Sequence, residues 1–99
     1  MASVYILYSK KLDKYYAGST DNLEFRIELH KEKIFPKSYT ANYSDWELYF
    51  EINNLSIFTA GKIEMHIKKM KSRKYKENLK KYPAIVARLI SLYDKSDSD

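Results

Sequence analysis

The chain has 99 residues, 44% hydrophobic and 15% aromatic, with a net charge of +5 and no cysteine. That is one domain's length with apolar content for a modest core, which excludes a disordered chain, disulfides and thiolate metal sites. No apolar run approaches the ~18 residues of a membrane span, and MASVYIL has no basic region ahead of its short apolar run, so no signal peptide is expected and the cytoplasm is the default compartment.

Residues 3–8, SVYILY, are rich in Val, Ile and Tyr. They are followed by polar SKKLDK and a second short run, YYAG, which together predict a β-hairpin with its loop around Lys10 to Lys14. The next segment reads two ways. Leu23, Phe25, Ile27 and Leu29 alternate with Glu24, Arg26, Glu28 and His30, a period-two pattern that by itself predicts a strand. Against that, Asp21 and Glu24 stand in a capping-box relation, and the run consists of helix formers with Ile27 as its one β-branched residue. As a helix, residues 21–33 would place Leu23, Ile27 and Ile34 on one face, and helix is the stronger reading.

WELYFEI, residues 46–52, predicts a third strand with Trp46, Leu48, Phe50 and Ile52 on one face. Glu47, Tyr49 and Glu51 would then face solvent. Ala60, Ile63, Ile67 and Met70 recur at three and four residues, a helix of three to four turns. Pro83 suits the first position of a final helix with Val86, Leu89, Ile90 and Tyr93 as its apolar stripe. The tail DKSDSD is polar and expected to fray. The order is ββαβαα with room for an extra break near Ser72: an α+β domain, a three-stranded antiparallel sheet flanked by helices.

Charge is unevenly placed. Residues 1–58 carry seven Lys/Arg and eight Asp/Glu, whereas residues 59–82 carry nine basic and two acidic residues. Half of the basic residues thus occupy about a quarter of the chain. Such a patch attracts a polyanion, most commonly nucleic acid, unless it is simply a solvated helix face.

Several residues break the bland pattern. Arg26 and His30 are four apart beside the Leu23–Ile27 stripe, and Glu64 stands between Ile63 and Ile67, close to the inward side of its helix. A carboxylate there needs a partner: a metal ion, an arginine or a lysine. Lys68, one turn later in the favourable order, is the simplest candidate. Tyr5, Tyr15 and Tyr16 could be ordinary sheet residues, given ten tyrosines in the chain. With only two glycines, each glycine is informative. No HExxH, P-loop, GxGxxG, GxSxG or cysteine nucleophile is present.

Together these residues resemble the GIY-YIG nuclease superfamily, and within it small stand-alone bacterial proteins. The first motif reads Ser3-Val4-Tyr5 and the second Tyr16-Ala17-Gly18, followed by Ser19-Thr20-Asp21-Asn22-Leu23, Arg26 and His30 in the family's order. YTANYSDWELYFE is similar to the family's aromatic turn into its third strand. AGKIEMHIKKMKSRKYK is similar to its helix bearing an alanine, a glutamate four residues later, and a basic continuation. The likeness covers residues 3–81 and favours helix for residues 22–33. Ser3 stands where the first motif has glycine, and Ala17 where a bulkier aliphatic residue is usual.

The resemblance implies a phosphodiesterase that cuts DNA with Mg²⁺, or another divalent cation such as Mn²⁺. Tyr5 and Tyr16 would flank the phosphate and orient or deprotonate the attacking water. Arg26 would stabilise charge on the phosphoryl oxygens, His30 would support a tyrosine hydroxyl or relay its proton, and Glu64 would hold the metal. Gly18 would let the backbone turn out of the strand, and Lys68, Lys69, Lys71, Arg73 and Lys74 would contact phosphates. Residues 1–82 would form the nuclease domain, 83–93 an appended helix packed on it, and 94–99 a frayed tail. The expected partner is DNA, in repair, recombination or restriction, with no membrane, no small-molecule cofactor, and a monomer or weak dimer. The alternative is a nucleic-acid-binding module that keeps the fold without turnover. A protein-interaction domain using the last helix is a third reading.

Overall fold

Four consecutive residues of the first strand, Val4 to Leu7, are almost wholly buried. A strand covered on both faces needs apolar residues at every position, which is why SVYILY alternates poorly. The computed structural model describes residues 1–25, 27 and 45–94. Arg26, His30, Ile34 and residues 95–99 lie outside the described residues. The strands are β1 (Ala2–Ser9), β2 (Lys14–Thr20) and β3 (Glu47–Leu55), followed by helices α1 (Ile57–Met70), α2 (Arg73–Lys81) and α3 (Pro83–Asp94). The sheet is antiparallel with order β2-β1-β3, so β1 is central.

Each face of the sheet has its own apolar cluster. On one face Val4, Ile6, Ala17, Ile52 and Leu55 meet Ala60, Ile63 and Ile67 of α1, Leu79 of α2 and Leu89 of α3. On the other, Tyr5, Leu7 and Trp46 are joined by Leu12, Tyr16, Leu23 and Ile27. Leu23, Glu24, Phe25 and Ile27 are helical, in keeping with the helix reading. The cap differs from the expected Asp21–Glu24 box: Asn22 Oδ1 accepts from Phe25 N at 3.1 Å. Thr20 Oγ1 accepts from Asn22 N at 3.0 Å, which fixes the capping residue as the chain leaves β2.

The expected face of the third strand also needs correction. Ile6 pairs with Phe50 but Leu7 pairs with Leu48, so Tyr49 is an extra residue and the alternation resets there. Trp46 therefore joins the Tyr5 cluster while Phe50 and Ile52 face α1. Leu48, on the Leu7 side, remains 41% exposed. Tyr49 is half-buried rather than solvent-facing, with its ring 4.9 Å edge-on from Tyr15 and Lys80 Nζ 4.5 Å from its centroid. A second shift lies between Val4 and Ala2, opposite Asn53 and Asn54, where Asn54 has φ 62°.

The helical half follows its punctuation. Ser56 caps α1 by accepting from Thr59 N at 3.1 Å. The helix ends where Lys71 turns left-handed at φ 48°. Ser72 then caps α2 by accepting from Tyr75 N at 3.0 Å, so the break near Ser72 is real. Pro83 opens α3. Leu89 is buried in the α1 cluster and Ile85, Val86, Ile90 and Tyr93 pack around it. Two polar contacts fasten this helix to α1: His66 Nδ1 lies 2.7 Å from the Tyr93 hydroxyl, and Thr59 Oγ1 donates to Asp94 Oδ1 at 3.0 Å. Leu89→Ala should cost about 2–5 kcal/mol in chemical denaturation, as for other leucines removed from cores. Leu92→Ala on the same helix, where Leu92 is 54% exposed, should stay within about 0.5 kcal/mol.

Candidate active site at the edge of the second strand

The hairpin register sets the site. Tyr5 pairs with Gly18 and Leu7 with Tyr16, so Tyr5 and Tyr16 project from neighbouring antiparallel strands on the same face. Tyr5 is 1% exposed and lies against Gly18. A Cβ at Gly18 would come within 2.6 Å of Tyr5 Cζ. Gly18 is therefore not a turn residue: it lies inside β2, its φ is not positive, and its missing side chain makes room for the tyrosine ring. Tyr16 is half-buried, edge-on to Trp46 at 6.4 Å.

Among the described residues β2 is an edge strand of the sheet, and Ser19, one residue past Gly18, points to the opposite face. Its hydroxyl donates to Glu64 Oε1 at 2.5 Å. The second carboxylate oxygen takes Lys68 Nζ at 2.6 Å. That ammonium lies 5.6 Å from the centroid of the Tyr16 ring, so Lys68 bridges the two faces around the open side of β2. Helical spacing explains the arrangement: Ala60, Ile63 and Ile67 bury their side chains, and Glu64 and Lys68 occupy the adjoining rim of α1. The Glu64 side chain is 21% exposed, shielded yet open to solvent. A cavity of about 180 Å³ next to Ser19 is lined by Ala2, Ser19, Thr20, Asp21, Ile57 and Ala60.

A second polar network lies at the hairpin turn. Arg73 Nη2 donates to Asp13 Oδ1 at 2.7 Å and Nη1 to the Asp13 carbonyl at 3.1 Å. Tyr8 donates to the same Asp13 oxygen at 2.6 Å. Tyr15 donates to Glu77 Oε2 at 3.0 Å, which Arg73 Nε also approaches at 3.4 Å. The Arg73 hydrogen bond, aided by Tyr8, lowers the Asp13 pKa to about 2. Asp13 in turn raises the Arg73 pKa. Burial, then the Glu77 hydrogen bond, raises that of Tyr15.

The expected site residues thus fall into groups. Tyr5, Gly18 and Tyr16 come together on one face, and Glu64 meets them at the β2 edge through Ser19 and Lys68. Lys69 and Lys74 are exposed, Arg73 is tied to Asp13, and Arg26 and His30 lie outside the described residues. Sequence reasoning gave Ser19 no role, although its period-two offset from Ala17 placed it on the face that α1 covers. The partner of Arg73, sixty residues away in a turn, left no local signal.

The family model for the GIY-YIG catalytic domain matches residues 1–78. The chain belongs to this family. The match spans the sheet, α1 and most of α2, and ends before α3. No curated protein and no solved structure matches the chain. The family is one of nucleases, so a divalent cation has to be considered at Glu64. Among the described residues no group of three His, Cys, Asp or Glu converges. A single hard carboxylate beside a hydroxyl, open to water, still suits Mg²⁺, which keeps most of its own waters. Among the described residues no helix is long and apolar enough to cross a membrane.

Two measurements probe this GIY-YIG hairpin. Gly18→Ala should destabilise the fold by about 1–3 kcal/mol, the cost of overpacking, because the added methyl must displace the Tyr5 ring. Urea denaturation would read it. For Asp13 the folded pKa lies below its ordinary 3.8. Its stabilising contribution is therefore complete above pH 3.8 and is lost as the pH falls towards 2. An NMR titration of the Asp13 carboxyl should show a midpoint near 2 in the native protein, returning towards 3.8 in Arg73→Met.

Proposed function

We propose that this GIY-YIG protein is a DNA endonuclease that hydrolyses a phosphodiester with the aid of a divalent cation held by Glu64. The observation that supports this best is the meeting of the motif tyrosines and a shielded, solvent-reached carboxylate around one strand edge that is uncovered among the described residues. An edge strand leaves one side free for an extended polymer to approach, which a central strand could not.

Each residue then has a task. Tyr16, half-buried at the edge, offers its hydroxyl to the incoming phosphate and its water, while Tyr5 is held by Gly18 in one orientation. Ser19 fixes one oxygen of Glu64, so the carboxylate presents the other outward. That second oxygen, which takes Lys68 in this structure, would hold the cation, and the Lys68 ammonium beside Tyr16 would then be free to meet a phosphate oxygen. The cation, Mg²⁺ or Mn²⁺, would polarise the phosphoryl group and offset the charge that develops on it. Arg26 and His30 take the roles the resemblance implies, stabilising phosphoryl charge and relaying a proton. The basic run of Lys68, Lys69, Lys71, Arg73 and Lys74, exposed throughout, supplies sequence-independent phosphate attraction.

A binding module without turnover is the second reading. It is favoured by one observation, that both Glu64 oxygens already have protein partners. Incubation with nicked, flapped, branched and plain duplex DNA, with Mg²⁺ or EDTA, separates the two. In the nuclease reading Glu64→Gln lowers cleavage by about two orders of magnitude or more while DNA affinity stays within a few-fold. The rise in melting temperature on adding Mg²⁺ should disappear in the same variant. Normal cutting by Glu64→Gln would exclude Glu64 as the metal ligand.

A further inference from the structure

We propose that the cavity between the hairpin turn and the α1–α2 junction is a phosphate-binding subsite, built by Lys14, Lys71 and Lys76, that holds a flanking phosphate of the nucleic acid. The cavity measures about 390 Å³ and is lined by Asp13, Lys14, Tyr15, Lys71, Arg73 and Lys76. Its one lining carboxylate, Asp13, is neutralised by Arg73. Among the described residues, no ion pair engages Lys14, Lys71 or Lys76. Three lysines therefore converge on one concavity with no anion to answer them. Their mutual repulsion is a cost that a bound anion would remove.

Three further features point the same way. Burial lowers the pKa of Lys76, so its ammonium is partly stripped of water without receiving a partner. Lys71 holds the left-handed conformation, φ 48°, at a helix end where glycine is the usual residue. A side chain kept there at a backbone cost marks a position where that side chain is wanted. Lys71 and Arg73 also bracket Ser72, the N-cap of α2, so the positive end of that nine-residue helix lies at the rim.

The location suits the proposed nuclease, on which the identity of the ligand rests. Lys71 lies seven residues beyond Glu64 on α1, roughly 10 Å along the helix axis. A strand that runs along α1 from Glu64 would reach Lys71 within a few phosphates. Lys68 sits between the two points, over Tyr16. A strand whose scissile phosphate lies at Glu64 would thus pass Lys68 and place a later phosphate among Lys14, Lys71 and Lys76. Holding a flanking phosphate there fixes the register of the strand without reading its bases.

The test uses the full chain, a short plain duplex without Mg²⁺, and inorganic phosphate. Lys76→Met should weaken duplex binding about tenfold and reduce the slope of log K against log salt by about 1, the signature of one lost phosphate contact. Lys76→Arg should restore most of the affinity. Arg88→Met, which removes an equal charge on α3, should leave affinity and slope within twofold of the native values. Millimolar inorganic phosphate should shift the backbone amide resonances of Lys14, Lys71 and Lys76 in the native protein but not in Lys76→Met. Equal losses in Lys76→Met and Arg88→Met, or phosphate shifts confined to other residues, would overturn the subsite. Phosphate shifts at these lysines with unchanged duplex affinity would overturn its assignment to nucleic acid in favour of free phosphate. If Lys76→Met fails to fold, Lys14→Met carries the same test. Absence of cleavage with intact Lys76-dependent binding would sink the nuclease reading and leave the subsite standing.

Discussion

The packing of the Tyr5 ring over Gly18 is the constraint on which the site depends. A fully buried tyrosine on the central strand needs space above its neighbour, and only a residue without a Cβ leaves it. With Tyr5 opposite Gly18, Leu7 must face Tyr16, and the two motif tyrosines share a face. A slip of one residue would set Tyr5 against Ala17 or Ser19 and turn Tyr16 to the other side of the sheet. Steric exclusion at one glycine thus fixes the register of the whole hairpin. The separation of the two motifs in sequence follows from it, because the strands and turn between them must close with that pairing.

The position of β2 at the edge gives the register its use. Helix α1 lies over the opposite face and lines its rim residues along the exposed side of β2. Glu64 and Lys68 then meet Ser19 and Tyr16 around an edge that no further strand covers among the described residues. An uncovered edge is an aggregation hazard unless charge guards it, and here the charged rim of α1 does so.

Arg73 plays a different part from the other basic residues of its segment. Its planar fork reaches Asp13 in the hairpin turn, and Glu77, Tyr8 and Tyr15 complete the network. This ties the start of α2 to the hairpin and orients the turn that carries Lys14. A comparable tether acts on the other side of the turn. Ser9 donates to Asp45 Oδ1 at 2.8 Å and Lys11 N to Oδ2 at 3.0 Å, which brings Trp46 under the Tyr5 cluster. The backbone N–H of Lys11, with Ser9, lowers the Asp45 pKa, so both tethers are strongest with the carboxylates ionised.

Local chemistry by itself determined much of this protein. The apolar run at Val4 to Leu7, the serine at residue 72 and Pro83 are local signals, and the hairpin, the helix break and the start of the last helix stand where they indicated. The five-part likeness over residues 3–81 also identified the family. Tertiary structure alone decided the rest. The bulge at Tyr49 depends on which residue of β1 lies opposite, so a regular alternation in sequence was split between two faces. The helix cap passed from Asp21 to Asn22 because Thr20, held in β2, claims the Asn22 backbone. Gly18 serves to admit a ring from the neighbouring strand, which no turn rule could reveal. Partners such as Ser19 with Glu64, or Asp13 with Arg73, are 45 and 60 residues apart. Such pairs exist only once the chain has closed on itself, since local sequence governs backbone preference and burial pattern but not which distant polar groups a fold brings within hydrogen-bonding reach.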